Sequence, residues 1–290
     1  MDYNFLFVVA LNGLVYGSFL LLPTLGLSMV FGLARIVNFA HGQLYALGAY
    51  FTVELIRLLG SYWSAVLVSP LLMVLFAVGL ERLAIAPIRD RTEIYTLPVT
   101  FGLGLMIVGG IEQCWGTAAV LVSAPAPLQG SVTVLGNEYP TYRLVAAALS
   151  LIITSTVFAV VQWSSIGLQI RAVADDREMA AAIGVNTDYL ITMVFGSAAG
   201  FAALAGALGA PIFTVNLGTG SSVLLDSFLA VILGGLGYLP GSAVGAFIIA
   251  LAKNIGSAYL SDWSIAVIFG VVGLTLVIRP QGVLGRGRVA

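Results

Sequence analysis

Long apolar segments recur along almost the whole of this 290-residue chain, each close to the length that a membrane demands. A helix that crosses about 30 Å of hydrocarbon needs about 20 apolar residues. The pattern predicts an all-α, polytopic membrane protein of eight or nine transmembrane helices, with broken helices near the midplane of the bilayer. The predicted segments are 5–33, with an interruption at Pro23, 42–60, 63–86, 95–115, 142–163, 189–210, 223–238, 241–260 and 264–279.

Composition narrows the possible functions. Charged residues make up 9% of the chain, against about a quarter in soluble domains, so lipid is the expected surrounding. The 12 basic and 13 acidic residues leave no basic excess to hold a nucleic acid. With one cysteine and one histidine, no disulfide, metal site or catalytic residue is expected.

The basic residues also predict an orientation, because short loops rich in Lys and Arg stay in the cytoplasm. Three regions, 87–94, 164–188 and 280–290, are therefore expected on the cytoplasmic side, with the carboxyl terminus inside. The amino terminus has no positively charged region before its first apolar segment, so that segment is expected to remain as a span. The basic residues on which the orientation rests are Arg82, Arg89, Arg91, Arg171, Arg177, Arg279, Arg286 and Arg288.

Segment 116–141 has the composition of a loop between two apolar runs. Its sequence, GTAAVLVSAPAPLQGSVTVLGNEYP, is rich in proline and glycine, and the alternation around SVTVLG predicts a small hairpin that begins at Gly130. We expect this loop in the periplasm, either as a connector or as a contact for a soluble partner.

Segment 164–188 is the longest charged stretch and is expected to hold a short helix. Asp175 is the predicted N-cap, with Glu178 completing a capping box, and Gly184 is expected to end the helix. Apolar side chains then recur at i, i+3 and i+4, which places Met179, Ala182 and Ile183 on one face. A capped helix with an apolar face favours protein docking over a solvated connector.

Polar residues and glycines interrupt two other runs, and interrupted helices commonly surround the solute site of a transporter. The first interruption lies in GLARIVNFAHGQLYALGAY and the second in LDSFLAVILGGLGYLPGSAVGAFI. We predict that the two interruptions face each other across a solute pathway. Instead of lining the pathway, His41 could anchor a turn by a backbone hydrogen bond. The glycines of the second interruption could likewise form a simple turn. The predicted pathway residues are Asn38, His41, Gly42, Gly234, Gly235 and Gly237.

Two ionisable residues, Asp226 and Lys253, stand deep inside apolar runs. If their helices are antiparallel, the two side chains are expected to pair in the outer half of the membrane in a structural role. Lys253 is the only lysine, and no G-x-x-x-x-G-K-[ST] phosphate loop occurs. Any ATP that drives this protein must therefore be bound by a partner, and no cofactor is expected on this chain.

Four separated runs resemble, in order and over nearly the whole chain, the permeases of branched-chain amino-acid ABC transporters. They are GLSMVFGLARIVNFAHGQLYALGAY, IRAVADDREMAAAIGVN, LAVILGGLGYLPGSAVGAFI and RPQGVLGR. The resemblance implies one transmembrane permease domain over 1–290 in the bacterial inner membrane. It also implies a second related permease subunit, two cytoplasmic ATPase subunits that hold ATP, and a periplasmic solute-binding protein.

The run EMAAAIG is similar to the E-A-A-x-x-x-G coupling motif of importer permeases, with Met179 in place of the first alanine. The resemblance therefore implies that this loop couples the permease to its ATPases. The implied coupling residues are Asp175, Arg177, Glu178, Met179, Ala180, Ala182, Ile183 and Gly184.

The predicted pathway indicates the chemical class of the solute. Few charges lie along the predicted pathway, which favours a neutral or zwitterionic small molecule. Branched-chain amino acids come first by resemblance, while urea, short amides, aromatic acids and other amino acids remain alternatives. An ATP-independent secondary carrier or channel is the competing class, and an intramembrane enzyme is a weaker one.

Overall fold

The chain, in a computed structural model that describes residues 3–89, 93–260 and 263–285, is built mainly of α-helices. A π-helical turn, Glu81–Ile85, continues α3, and a short 3-10 turn, Ala126–Leu128, precedes the two strands. The α-helices are α1 (Tyr3–Ala34), α2 (His41–Leu59), α3 (Tyr62–Leu80), α4 (Glu93–Trp115), α5 (Thr141–Trp163), α6 (Ser165–Asp175), α7 (Arg177–Ala182), α8 (Thr187–Gly209), α9 (Thr219–Gly234), α10 (Leu239–Tyr259) and α11 (Ser264–Ile278).

Each of the nine predicted apolar segments overlaps a helix, but α9 both begins and ends four residues earlier than the predicted segment 223–238. Within the described ranges, six helices are long and apolar enough to cross a membrane, and α9 and α11 are shorter apolar helices. The predicted interruption at Pro23 is wrong, because α1 continues through this residue. A proline removes one backbone donor, and a long membrane helix tolerates this where neighbouring helices pack around it.

Helix α8 lies at the centre of the molecule and packs against α1, α2 and α3. Its small residues allow close approach: a Cβ on Gly196 would meet Val78 at 2.7 Å, and one on Gly200 would meet Val74 at 2.7 Å. Small residues at helix interfaces are the usual way in which membrane helices pack tightly. Helices α9 and α10 complete the core by packing on each other and on α1.

The predicted hairpin is present and marks one end of the molecule. Strands β1 (Ser131–Val134) and β2 (Asn137–Pro140) pair antiparallel, beside the first turn of α5. Tyr139 in β2 donates a 2.8 Å hydrogen bond to Asn12 in α1. We call this the hairpin end, and we call the opposite end of α1, where α6 and α7 lie, the α7 end.

Candidate functional site

Residues 35–40 form an irregular connection between α1 and α2. Arg35 adopts a φ of 53°, a left-handed conformation that ends α1. The irregular backbone is bonded to its surroundings: Thr100 Oγ1 donates to the Val37 carbonyl at 3.1 Å, and the Asn38 side chain accepts from the Ala40 N–H at 3.0 Å. Asn38 is thereby buried and fixed as part of the turn that starts α2.

His41, the first residue of α2, reaches the middle of α1. Its Nε2 lies 2.9 Å from the carbonyl oxygen of Pro23, so α2 starts beside the middle of α1 rather than beside its end. In the described chain, the buried Nδ1 of His41 and the buried Oε1 of Gln43 have no hydrogen-bond partner. Unsatisfied polar atoms are rare in native interiors, and a bound water or ligand is one way in which they are satisfied.

The start of α2 touches the start of α9. Gln43 Nε2 donates to Ser221 Oγ at 3.1 Å. A Cβ on Gly42 would collide with the backbone of Gly220 and the side chain of Leu224, so glycine is required for this approach. Two helix amino termini therefore meet inside the bundle.

The second predicted group of pathway glycines lies elsewhere, which corrects the prediction that the two groups face each other. Gly42 packs at the first turn of α9, whereas Gly234 is the last residue of that helix. Gly42 contacts both Gly220 and Leu224, so at 1.5 Å per residue the two groups are about 15–21 Å apart along α9.

These glycines pack at the α7 end. Gly235 has a φ of 107°, and a Cβ there would lie 2.9 Å from the Cα of Gly285 in the carboxyl-terminal segment. Gly237 has a φ of 76°, and a Cβ there would lie 2.9 Å from the Cα of Gly32 in α1. Gly235 and Gly237 also line a cavity of about 680 Å³, which Arg35 borders.

The predicted short helix in 164–188 is α7, but its cap differs from the prediction. Asp176, not Asp175, is the N-cap: its side chain accepts from the Met179 N–H at 2.9 Å. Asp175 is instead the last residue of α6, because a second helix fills the segment before α7. Glu178 is then at N2, so the predicted capping box is not formed.

Gly184 ends α7 as predicted. It has a φ of 94°, its N–H donates to the Ala181 carbonyl, and the Val185 N–H donates to the Ala180 carbonyl. These two bonds form a Schellman motif, which fixes where the helix stops.

The apolar face of α7 is uncovered in this single chain. Met179 is 62% exposed and Ile183 73% exposed, and Ala182 is exposed beside them. Ala180 points the opposite way and is buried. Helix α7 is therefore seated on the molecule by one side and presents Met179, Ala182 and Ile183 on the other.

An ionic network anchors α7 to the helical bundle. Arg177, at the start of α7, donates to Asp188 Oδ1 at 3.1 Å. Asp188 also pairs with Arg89 at 2.6 Å, and Arg89 pairs with the fully buried Glu81 at 3.1 Å. The second carboxylate oxygen of Glu81 accepts from Thr192 in α8 at 2.7 Å.

This network was missed in the sequence, although Glu81 gave a signal as a carboxylate inside the predicted apolar segment 63–86. Arg171 is another of the basic residues on which the predicted orientation rests. Its guanidinium donates hydrogen bonds to the carbonyls of Val161 and Gln162 at the end of α5. Arg91, Arg286 and Arg288 lie outside the described residues.

The predicted pairing of Asp226 and Lys253 is confirmed. Lys253 Nζ lies 2.5 Å from Asp226 Oδ2, and Tyr16 donates a hydrogen bond to the same oxygen. Lys253 also lines a second cavity, of about 560 Å³, toward the hairpin end, as does Tyr16. Tyr139 also lines this cavity, and burial raises the pKa of its phenol, so it remains a hydrogen-bond donor at neutral pH.

Comparisons with known proteins cover nearly the whole chain. The permease proteins LivH of Escherichia coli (strain K12) and BraD of Pseudomonas aeruginosa, both named as high-affinity branched-chain amino acid transport system permeases, are 29% identical over 96% of this chain and 95% of their own. The probable branched-chain amino acid transport permease LivH of Methanocaldococcus jannaschii is 23% identical over 84% of this chain and 78% of its own. No solved structure matches. A family model described as "Branched-chain amino acid transport system / permease component" matches residues 9–277, and the chain therefore belongs to this family of multi-pass inner-membrane permeases.

Proposed function

We propose that this chain is the transmembrane permease subunit of an ATP-driven importer for branched-chain or related amino acids. The observation that carries the proposal is the family match over 9–277, and the exposed apolar face of α7 supports it. An ATP-independent carrier has no need for an exposed helix fixed by a cap, a Schellman motif and an ionic network. ATP is bound by the partner subunits, and this chain holds no cofactor.

The proposed membrane arrangement has eight or nine spans. The six long apolar helices together with α9 and α11 account for eight, and α2 is the ninth. Helices α2 and α9 are the broken elements near the midplane. Support comes from the bond between His41 and Pro23, which brings the start of α2 to the middle of α1. The chain forms one permease domain over 1–290, with segment 116–141 in the periplasm and segment 164–188 and the carboxyl terminus in the cytoplasm.

In this proposal the solute passes the meeting point of α2 and α9 near Asn38, His41 and Gly42. It then leaves past Gly235 and Gly237, which line the cavity at the α7 end, and Gly234 holds α9 against α10 there. The unpaired polar atoms of His41 and Gln43 support the first part of this route. Buried groups without partners are suited to transient hydrogen bonds with a passing solute.

The complete importer would contain a second related permease subunit, two cytoplasmic ATPase subunits and a periplasmic solute-binding protein, in a lipid bilayer and without nucleic acid. Helix α7 docks on an ATPase subunit through Met179, Ala182 and Ile183. The residues Asp175, Arg177, Glu178, Ala180 and Gly184 shape and hold this coupling segment.

The test is a charge placed on the docking face. Ala182→Glu keeps a good helix former but puts an unpaired carboxylate into the contact, which costs a few kcal/mol if the contact is dry. The complete importer in liposomes is expected to lose most of its leucine uptake and its solute-stimulated ATP hydrolysis.

Gln169→Glu is the matched control, because it adds the same charge to an exposed position of the neighbouring helix α6. It should retain both activities. Normal coupling in the Ala182→Glu importer would show that α7 is a connector and would remove the support for ATP-driven import that α7 provides.

A further inference from the structure

The cavity toward the hairpin end has a size and a charge that suit a small anionic group. Its volume of about 560 Å³ lies within the range of about 300–1,000 Å³ that is typical of small-molecule sites. Arg143 and Lys253 line its wall, and no carboxylate does so among the described residues. It opens beside the first turn of α9, whose helix dipole adds positive potential.

Lys253 is held at this wall by fixed contacts. The ammonium group lies 2.5 Å from the carboxylate of Asp226, whose side chain is only 4% exposed. The ammonium also lies 3.2 Å from the Tyr16 hydroxyl and 4.9 Å from the centre of the Tyr16 ring. About a third of the lysine side chain remains exposed toward the cavity. Asp226 and Tyr16 therefore position a cation that keeps one of its three N–H donors for a ligand.

Arg143 supplies the second cation from the first turn of α5. One of its guanidinium nitrogens donates to Asn12 Oδ1 at 3.3 Å, and the same oxygen accepts from Tyr139. A guanidinium has five N–H donors, so this contact orients the group and leaves other donors for a ligand. The two cations outnumber the one carboxylate, Asp226, that lies behind the wall, which gives the cavity a net positive charge.

The remaining wall suits the rest of an amino acid. Val15, Ile212, Phe213 and Val223 provide apolar surface, while Ser222 and Asn254 provide oxygen acceptors for an ammonium group. From these features we infer that the cavity is an entry site for the amino-acid solute. Arg143 and Lys253 bind its carboxylate, and the apolar wall holds an aliphatic side chain.

This inference rests on the proposed function, and its test is direct binding of L-leucine to the purified membrane complex without the solute-binding protein. Arg143→Gln removes one cation and should raise the Kd for L-leucine at least about tenfold, as expected for the loss of one charge-assisted hydrogen bond. L-Leucinamide, which lacks the carboxylate, should bind more weakly to the wild type, and Arg143→Gln should change its Kd little.

Lys253→Gln alone leaves Asp226 buried without its partner, which is strongly destabilising. The pair Lys253→Gln with Asp226→Asn avoids this problem and should also raise the Kd for L-leucine at least about tenfold. Arg57→Gln is the matched control, an exposed arginine that does not line the cavity, and should keep the wild-type Kd.

Three results would overturn the inference: no L-leucine binding by the wild-type complex, an unchanged Kd in both cavity variants, or equal binding of L-leucine and L-leucinamide. A cavity variant that weakens only the docking of the solute-binding protein would assign the cavity to that partner instead. Leucine uptake by the wild-type importer is measured in parallel. If uptake is normal while the cavity variants bind normally, the entry site is wrong but the proposed function stands.

Discussion

Arg89 Nη2 lies 2.6 Å from Asp188 Oδ1, and this contact joins the turn that follows α3 to the first turn of α8. Asp188 also pairs with Arg177 of α7, so one carboxylate ties α7 to the turn after α3 and to the start of α8. The ion pairs of this network differ in strength. Asp188 is 67% exposed, and its pairs are weakened by solvent, whereas the pair of Arg89 with Glu81 is buried.

The buried part of the network should dominate stability. Glu81→Ala removes the buried partner of Arg89 and leaves it only the exposed Asp188, so the loss should approach the about 3–5 kcal/mol that is typical of breaking a buried pair. The thermal unfolding midpoint of the detergent-solubilised complex should fall clearly. Glu54→Ala removes an exposed carboxylate that pairs with Arg57 on the surface of α2 and should change stability by at most about 1 kcal/mol. Equal midpoints for the two variants would contradict the structural role of Glu81.

Gly184 should tolerate substitution only by residues that accept a positive φ. Gly184→Val places a β-branched side chain at a φ of 94°, which is strongly disfavoured and should misdirect the end of α7. Gly184→Asn should be tolerated better, because asparagine adopts positive φ more readily. The measurement is co-purification of the ATPase subunits with the permease, together with leucine uptake. If the valine variant matches the wild type in both, the geometry of this helix end has no part in coupling.

Gly235→Ala tests the contact between the end of α9 and the carboxyl-terminal segment. The added methyl group would lie 2.9 Å from Gly285 Cα and 3.1 Å from the Gln281 carbonyl oxygen, at a φ that side chains rarely adopt. We expect lower thermal stability and lower uptake, with a larger loss for Gly235→Leu. Gly273→Ala in α11 is the control, since nothing lies within 4 Å of its added methyl group. Wild-type stability and uptake in Gly235→Ala would show that the carboxyl-terminal segment shifts to accommodate the methyl group without loss of stability.

The orientation can be tested by cysteine labelling in a Cys114→Ser background, because Cys114 is exposed. Thr133→Cys in the hairpin should react with a membrane-impermeant maleimide added outside, and Gln169→Cys in α6 should react only after the membrane is opened. Arg89 is a poor position for such a label because 7% of its side chain is exposed. The reverse pattern would invert the proposed topology.

Several local features follow directly from the sequence. The apolar segments predict the helices because hydrocarbon forces the backbone to bond within each segment. The role of Gly184 could also be predicted, because the end of the helix requires a positive φ. The apolar face of α7 could be predicted because its residues recur at helical spacing. The cap was misplaced by one residue because Asp175 and Asp176 are adjacent, and the choice between them depends on where α6 ends.

The tertiary structure decided which distant residues meet. The sequence by itself determined a helical membrane permease with a short capped helix in 164–188, and it predicted the pair of Asp226 and Lys253. It did not determine that the polar start of α2 meets the start of α9 rather than its glycine-rich end, nor that Arg143 joins Lys253 around one cavity. The physical reason is that hydrophobicity, caps and turns act within a few residues, whereas the depth and register of packed helices depend on the close fit of small residues on several helices at once.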